Sequence, residues 1–204
     1  MTTILQEAAA GRAAIVPWTI EQYHKAIETG FLPDDPSIEL LDGLIVRKDR
    51  ARAGDDRMTI GDRHRIAVLR LSHMASWFDS RGCFLQTQQP VALPPISEPE
   101  PDGAVVRGRI DDYMDHPPTA SDVCSVIEVA DSSLSVDLGP KLRAYAAAGI
   151  PQYIVIDLVN NRVVFHERPA GGAYDRVTIF ERGSTIHIAT PDGDIALPTE
   201  RLLP

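Results

Sequence analysis

The stretch Val123–Ala130 constrains the fold most, because it is almost continuously apolar. A run of this length is typical of a central strand that is covered on both faces. Glu128 interrupts the run. A carboxylate in a buried strand is costly unless it is paired or bound to a cation, so Glu128 is the first candidate for a functional residue. An ion pair with an internal Arg or Lys explains it equally well at this level.

The elements around this run predict an α/β domain. Residues 123–159 form one βαβ pattern, which favours a mixed central sheet flanked by helices, with an antiparallel C-terminal extension. The expected helices span 19–30, 62–81 and 134–149, and the expected strands span 38–48 (a hairpin through Asp42-Gly43), 84–93, 104–106, 123–130, 153–159, 162–167, 174–180 and 185–189.

The expected helices carry start and stop signals. Thr19 is followed three residues later by Gln22, which is the spacing of a capping box. Asp62 is the expected cap of the second helix, and Gly82 is its expected stop. Pro140 fits only near the start of a helix, so the regular part of the third helix is expected to begin there.

The length of 204 residues suits one domain. Residues 1–16 are rich in alanine and are expected to form a flexible N-terminal arm, which leaves residues 17–204 as the single domain. No apolar run approaches the ~20 residues that cross a bilayer. Cys83 and Cys124 lack zinc or disulfide spacing, which favours reduced thiols in a cytoplasmic protein.

The net charge of −9 is unfavourable for gripping a nucleic-acid backbone. The basic residues are clustered, however, so a local basic patch is compatible with the acidic whole. A solvated loop and helix face explains the cluster equally well. Its members are Arg47, Lys48, Arg50, Arg52, Arg57, Arg63, Arg65 and Arg70.

Four further residues are candidates for chemistry, each with an ordinary alternative. Asp102 precedes a short strand, although Pro-Asp-Gly is also a common turn. Glu39 begins an apolar run and His64 lies one turn inside a helix, where either would normally be at the surface. Lys141 shares a helix face with Tyr145, and could balance the charge of a carboxylate on the preceding strand.

Several common site motifs are absent from the sequence. There is no glycine-rich dinucleotide or phosphate loop, no Gly-x-Ser-x-Gly, and no His-Glu-x-x-His or Cys/His cluster. The sequence therefore gives no indication of these nucleotide-binding, serine-hydrolase or zinc sites.

The candidate residues occur in an order that resembles a known family. The ordered segments are Glu39-Leu-Leu-Asp-Gly43, His64, Pro101-Asp102, Ile127-Glu128-Val129 and residues 141–157. This order is similar to that of the Uma-type putative restriction endonucleases, a group within the PD-(D/E)XK nuclease superfamily. The resemblance covers roughly residues 15–190 and is most specific from Glu128 to Asp157.

The resemblance implies a restriction-endonuclease-like core that brings Asp102 beside Glu128. It implies hydrolysis of DNA by these two carboxylates with a bound Mg²⁺, or Mn²⁺ in its place, since both ions suit hard oxygen ligands. The superfamily usually places a Lys two residues after the Glu, where this chain has Ala130. The resemblance assigns that catalytic role to Lys141 instead.

Two further catalytic positions follow from the same resemblance. Glu39 and His64 match additional polar positions of the family, with His64 assisting proton transfer or positioning a phosphate. Two rival readings stay open. The chain is a non-catalytic binding or assembly module of the same fold, with a homodimer as one form, or Glu128 and Lys141 make only a buried structural pair.

Overall fold

A six-stranded mixed sheet lies at the centre of this computed structural model, which describes residues 3–35, 38–47 and 61–204. Its strands in spatial order are β3 (Cys83–Gln86), β4 (Gly103–Arg107), β5 (Val123–Ala130), β6 (Gln152–Asp157), β7 (Arg162–Ala170) and β8 (Ala173–Glu181). β5 and β6 are parallel, and the other neighbours are antiparallel. A parallel pair needs a crossover, and the helical segment between them supplies it.

Two small antiparallel hairpins lie outside the central sheet. They consist of β1 (Ile38–Leu41) with β2 (Leu44–Arg47), and of β9 (Thr185–Ile188) with β10 (Ile195–Pro198). The helices are α1 (Ile4–Ala9), α2 (Ile20–Glu28), α3 (Asp62–Ser72), α4 (Ser76–Asp79), α5 (Leu134–Val136) and α6 (Leu142–Ala147), with a π turn at Asp137–Lys141 and 3₁₀ turns at Ile110–Tyr113, Ala120–Asp122 and Thr199–Arg201.

β5 separates two apolar cores. Ile127 and Val129 pack into the core that contains α3 and the β9–β10 hairpin. Val126 and Ala130 pack into the core that contains α6. Because side chains alternate along a strand, Glu128 lies on the α6 face between these last two residues. All eight residues of β5 are buried, as expected for a central strand.

The structure confirms the predicted fold class, a mixed sheet flanked by helices with a separate antiparallel strand pair. The capping box at Thr19 and Gln22 is present at the start of α2. The predicted hairpin turn is also present, since Asp42 and Gly43 have φ values of 51° and 72° between β1 and β2.

The single helix expected at 62–81 is wrong, because it is broken into α3 and α4. Hydrogen bonds from Met74 N to Leu71 O and from Phe78 N to Ala75 O show tighter turns around the break. These turns bring both Met74 and Phe78 into the core. Spacing of apolar residues by three or four does not distinguish the two kinds of turn. Asp62 is also not the cap: it lies in the first turn, after Gly61.

Other parts of the chain also differ from the sequence prediction. β3 ends at Gln86 because Gln88 has a positive φ of 52° and Pro90 follows. The helix expected at 134–149 includes the π turn at Asp137–Lys141, whose wider spacing accommodates Pro140 within the helix. In the C-terminal region β7 and β8 continue the central sheet, and β10 was not predicted.

Residues 4–9 of the expected arm form the short helix α1, and the flexibility of the arm stays a prediction. Residues 48–60 lie outside the described residues, and with them Lys48, Arg50, Arg52 and Arg57 of the basic cluster. Within the part of the chain that the structure describes, no helix is long and apolar enough to span a membrane.

The turn between β1 and β2 generates a stability prediction. A Cβ at Gly43 would overlap Pro17, and the backbone there has φ +72°. We therefore expect Gly43→Ala to lower the free energy of unfolding by about 2 kcal/mol or more, as measured by denaturant unfolding. Gly139→Ala is the control, since a Cβ there meets nothing within 4 Å. Equal stabilities of the two variants would contradict this account of the turn.

Candidate functional site

Asp102 and Glu128 lie opposite each other on neighbouring segments of the sheet. The register of β4 and β5 pairs Gly103 with Ile127, so one further step places Asp102 across from Glu128. Directly opposed residues of an antiparallel pair share a face, with Cβ atoms about 4.5–5.5 Å apart. The backbone N–H of Val129 donates to Asp102 Oδ2 at 2.9 Å, which fixes the Asp102 side chain against β5.

Two side chains from the crossover helix hold Glu128. Lys141 Nζ donates to Glu128 Oε1 at 3.0 Å, and the Tyr145 hydroxyl donates to the same oxygen at 3.1 Å. Lys141 and Tyr145 share a helix face, as the sequence predicted. No donor among the described residues reaches Glu128 Oε2. Glu128 is therefore anchored through one oxygen, and the other accepts no hydrogen bond from these residues.

Asp102 is likewise held through only one of its carboxylate oxygens, and His64 is one of the groups that hold it. His64 Nε2 lies 3.2 Å from Asp102 Oδ2, the oxygen that also accepts from Val129. Within the described part of the chain, Oδ1 of Asp102 accepts no hydrogen bond. Burial by itself lowers the pKa of His64, but the hydrogen bond and the negative charge of Asp102 outweigh it, and the pKa of His64 is raised.

Lys141 also contacts a carboxylate from the first hairpin. Its Nζ lies 3.6 Å from Glu39 Oε2, and that oxygen accepts a hydrogen bond from the backbone N–H of Glu100 at 3.2 Å. Glu39 and Lys141 are both buried. The small β1–β2 hairpin thus contributes a residue to the site although it does not belong to the central sheet.

Asp137 also belongs to the cluster of charged residues around Lys141, and the sequence did not predict it. It is buried in the π turn, and Ser133 Oγ donates to its Oδ2 at 2.5 Å. The available signal was its spacing, because Asp137 precedes Lys141 by four residues and so shares its helix face. Pro140 obscured that signal by making the start of the helix uncertain.

Among the described residues, four carboxyl groups lie around Lys141: those of Glu39, Asp102, Glu128 and Asp137. Burial, opposed by Lys141 and reinforced by the neighbouring carboxylates, raises the pKa of Glu128 to about 8. The same causes raise the pKa of Asp137 to about 6. Burial would lower the pKa of Lys141, but Glu128, Glu39 and Asp137 together raise it, so the lysine stays charged.

Asp102 differs from the other acids of the cluster. Burial raises its pKa, but the hydrogen bond and charge of His64, the Val129 N–H and the charge of Lys141 outweigh burial, and the net pKa is lowered. In the absence of a cation the surroundings of Asp102 therefore favour its ionised form, whereas burial favours the protonated form of Glu128. The positive charge of a divalent cation would oppose this effect of burial and favour the ionised form of Glu128.

These groups line one open cleft of about 560 Å³. All five candidates from the sequence, Glu39, His64, Asp102, Glu128 and Lys141, are among the lining residues. The structure thus brings them together, whereas Ala130, at the usual lysine position of the superfamily, is buried in the apolar core. The distance of 3.0 Å between Lys141 Nζ and Glu128 Oε1 is also typical of a structural ion pair. This contact is therefore common to the catalytic and the structural interpretation.

The carboxylates of Asp102 and Glu128 fit one divalent cation that keeps most of its water ligands. Among the described residues, no group of three or more His, Cys, Asp or Glu side chains is arranged to hold a metal ion. Mg²⁺ typically retains several waters and takes only one or two protein carboxylates, together with substrate phosphate. Asp102 and Glu128, each with one oxygen free of hydrogen bonds to the described residues, supply two such ligands.

Comparisons with known proteins agree with the fold. A family model named Uma2 and described as "Putative restriction endonuclease" matches residues 20–199. The crystal structure of a putative nuclease belonging to DUF820 from Anabaena variabilis is similar, with a TM-score of 0.62 and 16% identity, over 91% of this chain and 97% of that chain. That similarity shows the fold alone. No curated protein matches the chain.

The raised pKa of Glu128 generates a prediction about stability and pH. In the metal-free protein burial raises the pKa of folded Glu128 to about 8, whereas the unfolded chain has the ordinary pKa of about 4.5. Stability therefore falls as pH rises between these values. Glu128→Gln cannot ionise, so its melting temperature relative to the unsubstituted protein should rise from pH 5 to pH 8.

Thermal unfolding in the presence of a chelator measures this difference. Asp175→Asn is the control because Asp175 is exposed on β8, far along the sheet from β5, and its relative melting temperature should not change over the same range. If the relative melting temperature of Glu128→Gln stays constant or falls with pH, the account of the cluster's electrostatics is wrong.

Proposed function

The chain belongs to the Uma2 family of putative restriction endonucleases, and from this we propose that it is a metal-dependent endonuclease that hydrolyses DNA phosphodiester bonds. The observation that carries the proposal is the opposed pair of Asp102 and Glu128. Each is fixed by protein contacts through one oxygen and has a second oxygen without such contacts among the described residues. Two hard oxygen ligands on one face match the needs of Mg²⁺ or Mn²⁺.

Restriction-endonuclease-like proteins generally use divalent metals. When bound, such an ion supplies Lewis acidity at a phosphoryl oxygen and lowers the pKa of water. Asp102 and Glu128 would hold the ion. Mg²⁺ as the specific metal, a cytoplasmic location and a homodimer are further parts of the proposal.

The remaining residues orient and balance these two carboxylates. Tyr145 and Lys141 both donate to Glu128 Oε1, which limits rotation of the carboxylate. His64 does the same for Asp102. Lys141 stays protonated, so it also provides positive charge close to the position where negative charge develops on the phosphate during hydrolysis.

A non-catalytic binding or assembly module is the second candidate function. Acidic side chains outnumber basic ones among the described residues that line the cleft, and the whole chain has a net charge of −9. This balance is unfavourable for binding DNA tightly through its phosphates. Titration with Mn²⁺ by calorimetry separates the candidates. Binding that is lost in Glu128→Gln supports the enzyme, and the absence of binding supports the module.

A cleavage assay tests the proposed activity. The purified protein should cut plasmid DNA in the presence of Mg²⁺ or Mn²⁺, and Asp102→Asn and Glu128→Gln should each reduce the rate at least about 100-fold, because each removes a charged ligand. Asp175→Asn removes an exposed carboxylate on β8 and should leave the rate unchanged. Absence of cutting, or equal cutting by all variants, would refute the proposal.

A further inference from the structure

Two arginines stand out in the acidic cleft. Arg47, at the end of β2, and Arg143, in α6, both line the cleft and are exposed. Neither makes an ion pair or hydrogen bond with another residue in the part of the chain that the structure describes. Unpaired guanidinium groups are suited to phosphate, which they bind through two parallel hydrogen bonds. Lys141, by contrast, is already occupied by Glu128 and Glu39.

Apolar side chains form another part of the same lining. Leu44 and Val136 are each 37% exposed, although they are large hydrophobic residues in a charged cleft. Val46 and Pro140, both partly exposed, extend this apolar surface. Nucleobases pack against apolar side chains when they are not stacked on their neighbours. Phosphate-binding and base-packing groups therefore occur together beside the two carboxylates.

Resting on the proposed function, we propose that the substrate of this site is single-stranded DNA. Phosphates next to the scissile one bind Arg47 and Arg143, and an unstacked base packs against Leu44 and Val136. A cleft of about 560 Å³ is of the size that encloses a small ligand, which matches a nucleotide or two rather than a length of duplex.

Charge and stacking both favour a single strand over a duplex. Among the residues that the structure describes, seven acidic side chains line the cleft, against Arg47, Lys141 and Arg143. A duplex brings two phosphate backbones towards these acids, whereas a single strand brings one and has the lower charge density. In a duplex the bases are already stacked and paired, so contact with the apolar wall would first require unpairing and unstacking. A single strand makes that contact at lower cost.

Paired binding and cleavage measurements test the proposal. The probe is a fluorescein-labelled 12-nucleotide DNA strand, used alone and annealed to its complement. Fluorescence anisotropy with the Glu128→Gln protein measures binding, and gel analysis with the unsubstituted protein and Mn²⁺ measures cutting. We expect the single strand to be bound at least about 10-fold more tightly than the duplex, which corresponds to about 1.4 kcal/mol, and to be cut faster.

Variants of the two lining surfaces identify the contacts. Arg47→Gln and Arg143→Gln should each weaken binding of the strand and reduce the slope of log affinity against log salt by about 0.7. Leu44→Ser and Val136→Ser should weaken binding without changing that slope. The matched controls are Arg176→Gln and Val177→Ser, which alter exposed residues of β8 and should leave binding unchanged.

Each outcome separates this inference from the proposed function. Equal or tighter binding of the duplex, or no effect of the four cleft variants, would overturn the single-strand assignment even if the protein cuts DNA. If the strand binds tightly through both arginines but the unsubstituted protein does not cut it, the proposed nuclease activity is refuted. The single-strand binding site is then supported. Tighter binding of an RNA strand of the same sequence would overturn the assignment to DNA.

Discussion

The burial of Glu128 in the middle of an apolar central strand is the constraint on which the site depends. A carboxylate at that position is costly unless cations or donors compensate it. The crossover helix supplies both, because Lys141 and Tyr145 approach the same oxygen of Glu128. Burial, together with the neighbouring acids, outweighs the charge of Lys141, so the pKa of Glu128 is raised. The apolar sheet thus carries a group whose charge is stabilised only in part by the protein itself.

The topology of the sheet explains why the other groups converge on this position. Asp102 comes opposite Glu128 because β4 pairs antiparallel with β5 in a register that continues one residue past the strand. The parallel β5–β6 pair requires a helix on the same face, and that helix carries Lys141. The π turn at Asp137–Lys141 keeps Asp137 buried beside them. The same strand pairing that builds the core therefore also assembles the cluster.

The sequence predicted those parts of the structure that local pattern determines. The bounds of β5 follow from an almost continuous apolar run, and the capping box at Thr19 follows from two residues at a fixed spacing. The break between α3 and α4 was not predictable, since tight and regular helical turns bury residues at similar spacings. Asp137 was missed because Pro140 signals the start of a helix. In the structure helical turns begin before Pro140, at Leu134, and they include Asp137. The contacts of Glu39 depend on where a separate hairpin packs, which local sequence does not specify.

The acidic character of the chain fits this picture when the cleft is considered separately from the surface. A net charge of −9 opposes broad contact with a nucleic-acid backbone, but a bound cation would reverse part of the charge at the site itself. The most direct test is a crystal soaked in Mn²⁺, with anomalous diffraction to locate the ion. The account predicts one peak shared by Asp102 and Glu128, about 2.0–2.5 Å from an oxygen of each. A well-ordered cleft without such a peak, or a peak bound elsewhere, would contradict it.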